Sequence, residues 1–376
     1  MLTAIAPTTR NRYVGGAGLA LILLLAITAV HRAHSQSGQD GPPAPLSGQR
    51  IALRDGSASW KVPACFSLPL DRPNASITRA VVGIHGLDRF ANAAFGCLVE
   101  AGRAASADRT TLILAPQFVT ETERDKYRIG AEVPVWKGSR WIQGDDSVAR
   151  DDGASISSYR IVDLLLERLA DRRIFPNLRS VVVAGHSGGG QFVQRYAAGS
   201  RAADALSARG IDVRFVVANP SSYLYLTPER PLAGGAAFAL PSPDIRRKTA
   251  FFNNYKYGLD RLNPYMRQVG PERIREGYAS REITYLLGER DNDPRHPQLD
   301  RGRAAELEGA TRMDRGVAFF RYLQHLYGPA VTSRQRLEIV PGVGHSARRM
   351  FVSNAGLEAL YPDSEPIAAL GASSRH

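Results

Sequence analysis

SVVVAGHSGGG, residues 180–190, runs three valines into a serine, Ser187, that has glycine at 185, 188, 189 and 190. The apolar β-branched run reads as a strand covered on both faces. Glycines around the serine remove the side chains that would clash if the chain turned sharply and pushed a hydroxyl outward. A strand over residues 180–184 and a helix over 190–198 give this G-x-S-x-G its context as a nucleophile elbow. The same letters also suit an ordinary strand-to-helix turn capped by serine. Which of the two holds depends on whether the chain supplies a base and an acid.

On either side of the elbow, strand-like and helix-like segments alternate. Strands are expected over 79–86, 111–118, 213–220, 283–290 and 336–346, and helices over 92–106, 155–172 and 304–326. Such alternation predicts an α/β fold, a mostly parallel sheet with helices on both faces. Residues 221–281 fit no regular period and are rich in Tyr, Pro, Arg and Asn, so they are expected as an inserted, lid-like region over the sheet's carboxyl edge. No internal repeat is evident.

A serine hydroxyl is a weak nucleophile at neutral pH and requires a base that titrates near neutrality, itself oriented by a third group. Of the eight histidines, His31 and His34 belong to the N-terminal segment, His376 ends the chain, His325 lies in a helix pattern and His296 among prolines. His186 must turn away from its neighbour Ser187, and His85 sits in a strand-end His-Gly pair whose backbone matters more than its ring. His345, in PGVGHSA after the last strand, stands where loops at the carboxyl edge of such sheets carry chemistry. The acid is expected after another strand, and LLGERDND offers Asp291, with Asp293 as the alternative.

With Ser187, Asp291 and His345 in the order nucleophile, acid, histidine, the chain resembles the α/β-hydrolase fold family over about residues 79–350. That resemblance implies an acyl-enzyme and an oxyanion hole made by the backbone N–H groups of Gly188 and Leu87. The sequence has HGLD at 85–88 rather than the HGGG of some esterases, which separates it from that subgroup. The resemblance suggests a carboxylic ester hydrolase acting on small-molecule or polymeric esters, with a serine peptidase and a non-catalytic binding protein as alternatives. Trp136, Trp141, Tyr223 and Tyr225 are candidates to line the substrate pocket, although for any one of them packing of the core is the commoner role. No cofactor or metal is implied.

Arg10 and Arg12 precede an apolar stretch over 14–30, and Ala33-His34-Ser35 offers a cleavage point. This predicts a secretory signal over 1–35, or a retained anchor and membrane contact through it, with the body exported. Residues 36–50 read as a flexible linker and 51–376 as the folded domain. Export would let Cys65 and Cys97, the only two cysteines, pair as a disulfide. The formal charge of +12 is spread among acidic residues without a dense basic run, which argues against nucleic acid as a partner.

Overall fold

The computed structural model describes residues 44–362 except residue 234. Eight strands form one sheet: β1 (Gln49–Asp55), β2 (Ala58–Phe66), β3 (Arg79–Ile84), β4 (Thr111–Pro116), β5 (Ser180–His186), β6 (Asp212–Ala218), β7 (Glu282–Gly288) and β8 (Gln335–Val340). Their spatial order is β1-β2-β4-β3-β5-β6-β7-β8. The first two strands join antiparallel to each other and β2 joins β4 antiparallel, while every pair from β4 to β8 is parallel.

Strand periodicity sorts the apolar residues onto two faces. Ala80, Val82, Val181, Val183, Phe215 and Val217 enter one core with the helices α2 (Ser158–Leu169), α3 (Gly188–Gly199), α4 (Pro271–Tyr278) and α5 (Arg312–Tyr327). Val81, Val182, Val216 and Leu286 enter the other, against α1 (Ala91–Ala104) and α6 (Asn354–Leu360). Because both faces are covered, the central strands are uninterrupted apolar runs. That is what made them readable.

Several expectations are corrected. The β1–β2 hairpin turns at Gly56, whose φ is 58°, and its strands alternate exposed with buried residues, so they lack the continuous apolar signature. The expected linker docks from residue 44 onward: Ala44 and Ser47 are buried, and their N–H groups donate to Glu123 Oε1 and Gln117 Oε1, each at 2.8 Å. The helix expected over 304–326 is broken. Thr311 and Asp314 form a capping box that starts α5 afresh, after Gly309 at φ 146°. Within the insertion, residues 221–226 are fully buried and α4 is a regular helix. Both cysteines are free: Cys65 Sγ donates to Asn92 Oδ1 at 2.8 Å, while Cys97 packs against the α1-side core. The expected signal and the start of the linker lie outside the described residues.

Candidate active site

Five strands end on the same edge, and the residues that follow them build the site. After β5, Ser187 adopts φ 58°, ψ −120°, a conformation that is strained for any residue with a side chain and that lifts its hydroxyl out of the turn. Its N–H donates to Ala218 O at 2.9 Å. Close approach explains the neighbouring glycines. A Cβ on Gly185 would lie 2.2 Å from Gly189 O, one on Gly189 2.2 Å from Ile84 O, and one on Gly190 2.5 Å from Ala218 O.

Ser187 Oγ lies 2.9 Å from His345 Nε2, and His345 Nδ1 lies 2.7 Å from Asp291 Oδ2. A carboxylate can only accept, so the neutral ring carries its proton on Nδ1 and presents Nε2 as the acceptor for the serine hydroxyl. Asp291 and Ser187 are buried, and His345 is 13% exposed in its side chain. The other carboxylate oxygen, Oδ1, accepts from Arg312 Nη1 at 3.3 Å, with 1% and 3% of the two side chains exposed. The Asp293 side chain instead accepts from the Arg295 N–H at 2.9 Å and does not meet His345.

Asn219, at the end of β6 with φ 44°, joins the strand ends. Its Oδ1 accepts from the Gly288 N–H at 2.8 Å. Its Nδ2 reaches His186 Nε2 at 3.3 Å and Gly344 O at 3.4 Å. The buried His186 ring lies 4.5 Å from that of His345. Burial, then the neighbouring His345 and Arg312, push its pKa well below the ordinary value. His85 is also structural: its Nε2 accepts from the Phe118 N–H at 3.0 Å, and burial lowers its pKa to about 4.

Leu87 N comes within 3.0 Å of where a Cβ on Gly188 would stand, so the β3 loop and the first turn of α3 adjoin. Gly188 begins its helix, where an N–H has no intrahelical acceptor. The β3 loop is fixed by Arg89, which donates to Leu87 O at 3.2 Å and to Glu123 through a buried ion pair at 2.7 Å.

The four aromatic residues named as candidates for the pocket lie in the core. Trp136, Trp141, Tyr223 and Tyr225 are all 0% exposed. Trp141 stacks on Phe118 and lies 4.4 Å from the His85 ring, while Tyr223 stacks on Phe319. These rings pack in the core. Sequence reasoning in turn missed Arg312, Asn219 and His296. The His296 ring lies 5.0 Å from that of His345. None of the three carries a local motif; they converge only through the fold.

No family model matches the sequence, and a comparison with curated proteins finds no relative. Among solved structures, the chain is similar to poly(3-hydroxybutyrate) depolymerase from Bordetella parapertussis, at 21% identity and TM-score 0.54 over 86% of this chain and 93% of that one. It is also similar to poly(aspartic acid) hydrolase-1 from Sphingomonas sp. KT-1, at 19% identity and TM-score 0.52 over 84% of this chain and all of that one. Together with the strand order and the elbow between β5 and α3, these similarities show that the chain has the α/β-hydrolase fold.

Proposed function

We propose that the protein is a serine hydrolase that cleaves carboxylic esters through an acyl-enzyme. The observation that carries this reading is the chain of hydrogen bonds from Asp291 through His345 to Ser187, at 2.7 and 2.9 Å. Ser187 Oγ attacks the ester carbonyl while His345 Nε2 takes its proton, and Asp291 holds the imidazolium that forms. The N–H groups of Leu87 and Gly188 donate to the oxyanion, each worth about 3 kcal/mol in the transition state as judged by removal in other enzymes. His345 then returns the proton to the leaving alcohol, and water repeats the sequence to release the acid.

Both structural neighbours are named for action on polymers, one a poly(hydroxyacid) and the other poly(aspartic acid). The first favours an ester substrate; the second keeps amide cleavage as the second reading. Export is part of the proposal and rests on the sequence of residues 1–35 alone, whether as a signal cleaved after Ser35 or as an anchor.

Labelling of the full chain with a fluorophosphonate, followed by turnover of p-nitrophenyl esters of increasing acyl length, tests the proposal. Labelling and turnover that vanish in Ser187→Ala support it. If folded wild type neither labels nor hydrolyses any ester, a non-catalytic binding protein becomes the better reading.

A further inference from the structure

We propose that His296 is a substrate-binding residue whose Nε2–H donates to an acceptor oxygen that the substrate carries beside its scissile carbonyl. This deepens the ester-hydrolase reading and rests on it.

Residues around Ser187 close into a circuit. Ser187 Oγ meets His345, whose ring meets that of His296 edge to face at 5.0 Å. The His296 ring accepts from the Gln298 N–H at 3.2 Å. The side-chain amide of Gln298 donates to Asp88 Oδ1 at 2.9 Å, and Asp88 follows Leu87, whose N–H adjoins Gly188. The segment that carries the acid is thereby stitched to the loop that carries the oxyanion donor. The mouth of the site is polar on that side.

Obligate donors fix the protonation of His296. A main-chain N–H can only donate, and so can the Arg312 guanidinium, whose Nη2 lies 3.4 Å from the same Nδ1. Nδ1 is therefore an acceptor, and the neutral ring carries its proton on Nε2. Among the described residues Nε2 has no hydrogen-bond acceptor, and His296 is only partly buried. Burial, then the neighbouring Arg312 and His345, lower its pKa, which favours the neutral ring that the hydrogen bonds to Nδ1 already require. A partly exposed donor one ring away from the general base suits a second carbonyl, as in esters of dicarboxylic or hydroxy acids.

A selectivity quotient tests this. We would measure kcat/KM of the full chain for the p-nitrophenyl ester of monomethyl succinate, which carries a second carbonyl, and for p-nitrophenyl hexanoate, which does not. Dividing one by the other cancels any general damage to the triad. The quotient is expected to fall about fivefold in His296→Phe, the size of one neutral hydrogen bond, and to recover in part in His296→Gln, which restores an N–H donor. Fluorophosphonate labelling of both variants reports that the fold and the nucleophile survive. A quotient unchanged within about twofold in His296→Phe would overturn the subsite while leaving the hydrolase reading intact. Absence of both labelling and turnover in the wild type would remove that reading, and the subsite with it.

Discussion

Replacing Asp291 with asparagine changes one atom, and the surroundings dictate which way the new amide faces. Asp291 Oδ1 receives Arg312 and Oδ2 receives His345. Arg312 can only donate, so the amide oxygen must turn toward it and the amide NH₂ toward His345 Nδ1. Nδ1 then becomes an acceptor, the ring proton moves to Nε2, and Nε2 can no longer take the proton of Ser187. The same acid-to-amide change in a serine protease lowers kcat about 10⁴-fold, which corresponds to roughly 5.4 kcal/mol on the barrier. Stability should suffer less, because Arg312 keeps an acceptor; the loss of charge on that hydrogen bond costs about 1–3 kcal/mol. Asp291→Ala should behave differently, leaving the arginine's charge buried without the carboxylate that pairs it, at about 3–5 kcal/mol. Turnover of p-nitrophenyl butyrate and urea unfolding, measured on both variants, separate the two effects. A folded Asp291→Asn enzyme within tenfold of wild-type kcat would refute the tautomer argument.

Three further outcomes are expected. Burial pushes the Glu308 carboxyl up to about 8 from an ordinary value of 4.5; the unfolded chain releases that proton at the lower pH, so stability is lost as pH rises from about 4.5 through 8. Glu308→Gln lacks this loss, and its advantage over wild type in urea unfolding should grow between pH 5 and 9, by up to about 1.4 kcal/mol per unit. Gly189→Ala forces a methyl against the carbonyls of Ile84 and His85, at 2.2 and 2.8 Å, and should cost about 3 kcal/mol or more, seen as a lower urea midpoint or as loss of soluble protein. Trp141→Phe should lower stability by about 1–3 kcal/mol without altering the order of preference among acyl lengths; a changed order would return Trp141 to the substrate pocket.

Ser187 and the parallel strands were legible because both obey local rules: buried parallel strands are apolar without interruption, and a strained turn between strand and helix needs glycine. His345 and Asp291 were found by their places after strands, and the structure brings both to Ser187. The β1–β2 hairpin was missed because its exposed face breaks the apolar run. The aromatic residues were ambiguous for a different reason. Composition cannot distinguish a ring that lines a cavity from one that fills a core, and Tyr223 and Tyr225 follow a strand end in a stretch that looks like a loop yet is fully buried. Arg312 lay inside an expected helix, and only the capping box at Thr311 turns it toward Asp291. Elimination by sequence context set aside His296 for its prolines and His186 for its direction, and both rings stand against His345.

Asn219 gives the site a genetic property. One amide group serves the turn before Asp291, the ring of His186 and the loop before His345, so a shift in any of these changes what the other two can bond. Effects of substitutions at Asn219, Gly288 and Gly344 should therefore fail to add, with couplings of about 0.5–3 kcal/mol, the range seen for residues that share a network. Epistasis of that size makes the order of substitutions matter: a change at Gly344 tolerated beside one residue at 219 is damaging beside another, and these three strand ends are constrained to diverge together.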